Sequence, residues 1–221
     1  MDNSLAGKYI SFNGDSICQG TGCPGGYALI IENECSIRTQ NIGVGGATVT
    51  FGVPGLYGKS RHYISDTIDK MDAEADYAII EGGANDAGHG VPLGQLSEGF
   101  DAELDEETFY GAFELMLKRL ITRFAGKKYG YIASHQTSKG FSVTTPPEKS
   151  YYWAARRCCE KWGVPFLDLN STVPPFIFFK PGSELYPLRE KYTYNADGIH
   201  PNEECYRKYY VPKIVAWLKT L

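Results

Sequence analysis

The sequence predicts an α/β fold, in which a mostly parallel five-stranded sheet is covered by helices on both faces. The main observation is an alternation along the chain between short segments rich in β-forming residues and longer segments with helical periodicity. A second observation is that polar motifs follow several of the predicted strands. The predicted strands cover residues 8–13, 36–43, 76–83, 128–135 and 164–169.

Helices are predicted between these strands, over residues 25–35, 58–71, 106–126 and 148–163, and again after residue 201. The helix over 106–126 has the clearest pattern, because its apolar residues recur at helical spacing along one face. For this helix we predict Asp105 as the N-cap and Gly126 as the C-cap. The apolar stripe consists of Phe109, Phe113, Met116, Leu117, Leu120, Ile121 and Phe124.

Length and composition indicate one folded domain over residues 1–221. The chain has 43% hydrophobic residues and shows no internal repeat or linker. A chain of this size is long enough to bury one substantial core. The irregular segments 87–104, 136–148 and 170–196 are predicted to form the walls of a pocket.

The net charge of −4 argues against nucleic acid as a partner. No run approaches the roughly 18 apolar residues of a membrane span. The first residues lack a secretory signal, so we expect a cytoplasmic protein, or a secreted one whose leader is absent from this sequence. The six cysteines lack zinc-site spacing, and neither a metal nor a cofactor is expected.

Four short motifs lie at or beyond the ends of predicted strands. Ser16 follows the first strand, residues 43–48 (GVGGAT) the second, and residues 82–86 (GGAND) the third, whereas residues 197–201 (DGIHP) lie before the final helix. In open parallel sheets, ligands bind in the crevice beyond the carboxyl ends of the strands. The four motifs are therefore expected to meet at one edge of the sheet.

The residue types in these motifs suit nucleophilic catalysis. A serine hydroxyl needs a neighbouring base, and imidazole is suitable because its pKa lies near neutral pH. The imidazole in turn needs an acceptor that fixes its tautomer. Asp197 and His200 supply both groups from one loop, and Ser16 is the candidate nucleophile. The backbone N–H groups of Ser16 and of a glycine in the second motif, with the Asn85 amide, are candidate donors to an oxyanion.

These four motifs, in this order, resemble the blocks of the GDSL-type, or SGNH, hydrolase family. The resemblance runs from residue 13 to residue 201 and implies a flavodoxin-like three-layer α/β/α sandwich. It implies that Ser16 is the nucleophile and an oxyanion donor, that Asp197 is the orienting acid, and that His200 is the base. It also implies Gly46 and Asn85 as oxyanion donors.

Two positions depart from the family pattern. Ile17 replaces the usual leucine of the first block, a small apolar change. In the second block Gly45 stands where a serine is common, and we choose Gly46 as the donor because it directly precedes Ala47 and Thr48.

Each candidate also has a structural interpretation. Ser16 has the residue type and position of a helix N-cap, and Asn85 those of a turn residue. Asp15 and Asp86 are predicted to accept structural hydrogen bonds, and Glu81 to be buried and hydrogen-bonded. The histidines His62, His89 and His135 are predicted to be surface or satisfied residues, although His135 ends a strand and is also a candidate for lining the pocket.

Other glycine-rich motifs fail on inspection. Residues 52–60 (GVPGLYGKS) have the wrong glycine spacing for a phosphate-binding loop, and residue 48 is Thr where the dinucleotide fingerprint needs a third glycine. The GxSxG elbow of α/β-hydrolases is absent. A nucleotide-binding protein is therefore disfavoured, and a catalytically silent flavodoxin-like binding domain remains an alternative to the hydrolase.

The expected reaction is hydrolysis of a small soluble ester, with an O-acetylated carbohydrate as one candidate substrate. A lysophospholipase or thioesterase that acts on a longer acyl chain is the alternative. The apolar run Phe176, Ile177, Phe178 and Phe179 is interpreted either as an acyl-binding wall or as a buried anchor for a long loop. The oligomeric state is not predicted.

Overall fold

The described part of this computed structural model, residues 5–51 and 63–221, contains a five-stranded sheet in the order β2-β1-β3-β4-β5. Every neighbouring pair is parallel, which confirms the predicted α/β fold. The chain order reverses at β1, and this strand order places a topological switch point between β1 and β3. The strands are β1 (Tyr9–Asn13), β2 (Arg38–Asn41), β3 (Tyr77–Glu81), β4 (Lys128–Ala133) and β5 (Phe166–Asp168).

Helices connect the strands in the described residues, as the periodicity predicts. They are α1 (Ser16–Gln19), α2 (Gly26–Cys35), α3 (Ile64–Thr67), α4 (Ala84–His89), α5 (Phe109–Arg123), α6 (Tyr151–Trp162), α7 (Tyr186–Tyr192), α8 (Glu203–Cys205) and α9 (Val211–Leu218). Short 3₁₀ turns cover Ile68–Lys70, Pro147–Lys149, Phe176–Phe178 and Tyr194–Ala196, and a π-helical turn, Tyr206–Tyr210, joins α8 to α9.

Side chains alternate across the sheet and divide the core into two layers. On one face Ala78 and Ile80 of β3 pack with α5 and α6. On the other face Tyr77 and Ile79 of the same strand pack with α2 and α9. Because β1, β3 and β4 are covered on both faces, their residues are nearly continuously apolar. The arrangement is the expected three-layer sandwich.

The ends of α5 differ from the prediction. Thr108, rather than Asp105, is the N-cap, and its hydroxyl accepts a hydrogen bond from the N–H of Gly111. The Asp105 carboxylate instead accepts from the N–H of Glu107 in the preceding turn. The helix ends at Arg123, and Gly126 lies beyond the cap residue, in the turn that leads to β4.

Several short helices lie in segments for which the sequence predicts no helix. Helices α1 and α4 are only four and six residues long, and α7 lies in a segment predicted to be irregular. The predicted helix 58–71 is described only from residue 63 onward, where it forms α3 and a 3₁₀ turn. The loop 52–60 and His62 lie outside the described residues. No helix in the described ranges is both long and apolar enough to cross a bilayer.

Candidate active site

Ser16 lies directly beyond β1, at the first position of α1. The N-cap of this helix is Asp15, whose side chain accepts from the N–H of Ile17 at 2.8 Å. The Ser16 hydroxyl is therefore not the N-cap of this helix, and the alternative prediction of a capping role for Ser16 is wrong. It lies half-buried at the carboxyl edge of the sheet, where the switch point predicts a ligand site.

The Ser16 hydroxyl meets the imidazole of His200 across 184 positions of sequence. The distance from Ser16 Oγ to His200 Nε2 is 2.9 Å, and the distance from His200 Nδ1 to Asp197 Oδ2 is 2.6 Å. A carboxylate can only accept hydrogen bonds, so the shared proton belongs to Nδ1. His200 Nε2 is then free to accept the proton of the Ser16 hydroxyl.

Asp197 is held by the loop that carries it. Its Oδ1 accepts from the backbone N–H groups of Ile199, at 2.7 Å, and His200, at 2.9 Å. Partial burial alone would raise the pKa of Asp197, but the hydrogen bonds from the His200 side chain and from these N–H groups lower it below its usual value. The carboxylate therefore stays ionised at neutral pH.

The second motif forms a tight turn beside Ser16. The N–H of Ala47 donates to the carbonyl of Val44 at 3.0 Å, and Gly46 adopts a left-handed φ of 76°. This φ favours glycine over a residue with a side chain. The turn is tied to the first motif, because the N–H of Val44 donates to the Gly14 carbonyl at 2.9 Å. Within residues 5–51 and 63–221 the Gly46 N–H is used in no hydrogen bond.

Asn85, in the first turn of α4, lies between the first two motifs. Its amide nitrogen is 2.9 Å from the Ala47 carbonyl and 3.3 Å from Asp15 Oδ2. The amide thus connects the residue that follows Gly46 with the residue that precedes Ser16. The longer contact, to Asp15, is the weaker of the two.

Asp86 has the structural role that the sequence predicts. Its carboxylate is fully buried and accepts from the N–H groups of Val49 and Thr50, at 2.9 and 2.8 Å. Burial raises the pKa of Asp86 above its usual value, and these hydrogen bonds offset only part of that increase. The side chain therefore fixes the segment that follows the Gly46 turn.

A second carboxyl group lies beneath Asp15. Glu81, at the end of β3, is fully buried, as predicted, and lies beside Asp15. The predicted hydrogen bond is not found, because neither carboxyl oxygen of Glu81 has a partner within the described residues. Burial and then the charge of Asp15 raise the pKa of Glu81 well above its usual value, and burial raises the pKa of Asp15 to about 6. The two carboxyl groups therefore titrate as a coupled pair.

His135 is a buried residue behind the site rather than part of a pocket wall. Its Nδ1 lies 2.6 Å from the Tyr210 hydroxyl, and its ring contacts those of Phe176 and Tyr210 edge-on. Burial lowers its pKa to about 4, so the imidazole is neutral near pH 7.

The apolar run 176–179 is largely covered. Phe176 is fully buried, and Ile177, Phe178 and Phe179 are half-buried. His89 is half-buried at the end of α4.

Two features near the site are not predicted from the sequence. The pairing of Asp15 with Glu81 depends on the register of β1 and β3, in which Asn13 lies opposite Ile80. Arg189, on α7, contacts the loop that carries Asp197, yet it lies in a segment that the sequence predicts to be irregular. The position of Glu81 at the end of an otherwise apolar strand predicts its burial, but no signal in the sequence indicates Asp15 as its neighbour.

The chain is similar to a known protein family and to several solved structures. The family described as "GDSL-like Lipase/Acylhydrolase family" matches residues 12–208, whereas no curated protein matches the chain. Among solved structures, a protein from Lactobacillus plantarum has a TM-score of 0.74 and 24% identity, covering 98% of both chains. A proposed GDSL-like lipase from Bacteroides ovatus has a TM-score of 0.66 and 18% identity, covering 98% of this chain and 100% of its own.

A third solved structure is an alpha/beta hydrolase enzyme from the metagenome of Lake Arreo. Its TM-score is 0.62 and its identity is 17%, covering 98% of this chain and 97% of its own. At these identities the structural likeness shows the fold alone. The sequence match, by contrast, spans most of the chain and all four motifs. The chain therefore belongs to the GDSL-like lipase/acylhydrolase family of carboxylic ester hydrolases.

Proposed function

We propose that the protein hydrolyses a carboxylic ester through an acyl-enzyme formed on Ser16, with His200 as the base and Asp197 as the orienting acid. The observation that carries this proposal is the pair of short contacts on the His200 ring, 2.9 Å to Ser16 Oγ and 2.6 Å to Asp197 Oδ2. This is the nucleophile–base–acid geometry that a weak hydroxyl nucleophile needs. The whole chain, residues 1–221, acts in this proposal as one domain.

In the first half of the reaction, Ser16 Oγ attacks the ester carbonyl carbon while His200 Nε2 takes the hydroxyl proton. Collapse of the tetrahedral intermediate breaks the bond to the alcohol oxygen, and His200 Nε2–H protonates the departing alcohol. Water then attacks the acyl group on Ser16, with His200 again removing a proton. Release of the carboxylic acid restores the Ser16 hydroxyl. Asp197 stabilises the imidazolium at each stage.

The negative charge that develops on the carbonyl oxygen needs donors. The backbone N–H groups of Ser16 and Gly46 supply two, since neither is used in a hydrogen bond within the described residues. Asn85 supplies the third. In this proposal its amide stays anchored on the Ala47 carbonyl, and the substrate oxygen replaces the weaker contact to Asp15.

For the substrate we propose a small soluble ester, with an O-acetylated carbohydrate as one candidate. The burial of Phe176 supports this, because the apolar run 176–179 then serves as an anchor for its loop rather than as an open acyl-binding wall. A longer acyl chain is the second candidate. It is favoured by two exposed leucines, Leu185 directly before α7 and Leu188 on α7. The same helix carries Arg189, which contacts the Asp197 loop.

Covalent labelling tests the reaction. A fluorophosphonate probe should modify the wild-type protein at Ser16 and should leave Ser16→Ala unmodified. Ser171→Ala is the matched control, because Ser171 is an exposed serine that contacts Asp168 but has no imidazole partner in the described structure. Undiminished labelling of Ser16→Ala would place the nucleophile elsewhere, and an unlabelled wild-type protein would favour the silent binding domain.

The substrate is tested separately, with nitrophenyl esters of increasing acyl length and with acetylated sugars. A kcat/KM that is highest for acetyl esters and falls with chain length supports the small-ester proposal. An increase with chain length would favour the longer acyl substrate instead.

A further inference from the structure

We propose that Arg189 is a positioning residue for the catalytic loop: its guanidinium holds the backbone around Asp197 in a strained conformation that sets the Asp197–His200 pair. The inference rests on the proposed roles of those two residues. It concerns a side chain that does not touch the reacting atoms.

The loop before His200 has an unusual backbone. Of the three non-glycine residues with positive φ in the described ranges, two are adjacent here: Asn195, with φ 48°, and Ala196, with φ 55°. A left-handed conformation is unfavourable for a residue that carries a Cβ, and alanine adopts it less readily than asparagine. Such a pair persists only where surrounding contacts compensate for it.

Arg189 supplies such contacts. Its Nε donates to the Ala196 carbonyl at 2.6 Å, and its Nη2 donates to the Asp197 carbonyl at 2.9 Å. These carbonyls belong to the second strained residue and to the proposed orienting acid itself. The guanidinium thus fixes the peptide groups on both sides of the Asp197 Cα.

The other side of the guanidinium anchors this arrangement to the protein. Arg189 Nη1 lies 3.3 Å from the Ile177 carbonyl and 3.4 Å from the Phe179 carbonyl, in the segment held by the buried Phe176. Among the described residues Arg189 forms no ion pair, so its donors serve the backbone. A planar fork with fixed donor directions suits this task better than a lysine ammonium.

The loop is also closely packed at Gly198. Gly198 has a φ of 77°, and a Cβ there would lie 2.8 Å from the Ile177 Cα. The Gly198 N–H donates to Thr193 Oγ1 at 3.0 Å, and that hydroxyl donates to the Arg189 carbonyl at 2.7 Å. The backbone and the side chain of Arg189 therefore both support the loop. Loss of the guanidinium should change the conformation of the loop and move the Asp197 carboxylate away from His200.

A double-mutant cycle tests this inference, with Arg189→Lys, Ala196→Gly and the combined variant. Arg189→Lys keeps the charge but loses the fork. Glycine at residue 196 adopts the left-handed conformation without strain, so the loop should then depend less on Arg189. Arg156→Lys is the matched control, because Arg156 is a half-exposed arginine that contacts Glu160 on the surface of α6.

The measured quantities are the rate of fluorophosphonate labelling of Ser16, and kcat and KM for a nitrophenyl ester. Arg189→Lys should lower the labelling rate and kcat about tenfold while KM changes little, and in the Ala196→Gly background the loss should shrink to about threefold. Arg156→Lys should label at the wild-type rate. A melting curve for each variant separates loss of fold from loss of activity.

Each other outcome overturns the inference. A wild-type rate for Arg189→Lys would show that the fork is not needed, and equal losses in both backgrounds would show that it does not oppose strain at Ala196. If neither Arg189→Lys nor the combined variant folds, Arg189 is required for the stability of the whole protein rather than for the conformation of this loop. If the wild-type protein itself is not labelled at Ser16, the proposed function fails, not this inference alone.

Discussion

The amide nitrogen of Asn85 lies 2.9 Å from the carbonyl oxygen of Ala47. This contact fixes the plane of an amide that also reaches Asp15, at 3.3 Å. An oxyanion donor is most effective when it is held in place before charge develops, since no reorganisation is then needed. The Ala47 contact supplies that fixation for Asn85, the proposed oxyanion donor.

Replacing Asn85 by Ala should lower kcat by roughly 10²–10³-fold with a small change in KM, the range found when one oxyanion donor is removed. The measurement is steady-state hydrolysis of a nitrophenyl acetate. Asn85→Asp keeps the size of the side chain but lacks donors when ionised, and should lose at least as much. Because Ala47 loses a hydrogen bond in both variants, melting temperatures are recorded beside kcat. A kcat close to the wild-type value would remove Asn85 from the proposed oxyanion site.

Asp197→Asn should lower kcat on the order of a thousandfold or more, because an amide facing His200 Nδ1 no longer requires the tautomer in which Nε2 accepts the Ser16 proton. The fold should persist, since the amide oxygen can still accept from the N–H groups of Ile199 and His200. Asp168→Asn is the control: Asp168 also accepts a backbone N–H, from Ser171, but lies at the end of β5. A comparable loss in both variants would contradict the special role of Asp197.

The positions of the three motifs that follow strands could be predicted because they follow from general rules. Parallel strands leave the sheet at one edge, so Ser16, Gly46 and Asn85 had to come near each other once the strand order was right. Hydrophobic periodicity identified α5 and α6 to within a few residues at each end. Their caps were less predictable: Asp105 and Thr108 are both good N-cap residues, and the turn before α5 decides between them.

Other features depend on contacts that have no local signal in the sequence. The pairing of Asp15 with Glu81 requires the register between β1 and β3. The contacts of Arg189 require the path of the loop after α7, and α7 itself has only seven residues, too few for a clear helical period. Positive φ at Ala196 is also invisible in the sequence, because alanine has no preference for that conformation.

Asp86→Ala should destabilise the protein by about 2–4 kcal/mol, because two buried backbone N–H groups, of Val49 and Thr50, lose their acceptor. The measurement is urea unfolding at pH 7. Asp105→Ala is the matched control, since the exposed Asp105 also accepts a backbone N–H, from Glu107, and water can replace it there. Equal losses in the two variants would show that burial of the Asp86 contacts does not matter.

Two buried groups make opposite contributions to stability in acid. Burial lowers the pKa of His135 to about 4, so between pH 6.5 and 4 the unfolded chain binds a proton that the folded chain does not, and stability falls as pH falls. Burial raises the pKa of Asp15 to about 6, so its contribution runs the other way over a similar range. The total slope also contains Glu81 and Asp86, whose pKa values burial raises as well, so a difference between variants is needed to isolate His135.

His135→Gln removes the titrating imidazole. Between pH 6.5 and 4, the free energy of unfolding of this variant should therefore decrease by about 3 kcal/mol less than that of the wild-type protein, which is the free energy that corresponds to the lowered pKa. Urea unfolding at several pH values measures the difference from the wild-type protein. Tyr210→Phe is the control, because it removes the hydroxyl at 2.6 Å from Nδ1 but keeps the buried imidazole. Its stability should be lower at every pH, yet its slope should match the wild-type slope. Parallel curves for His135→Gln and the wild-type protein would mean that the pKa of His135 is the same in the folded and unfolded chains, contrary to its buried position between Phe176 and Tyr210.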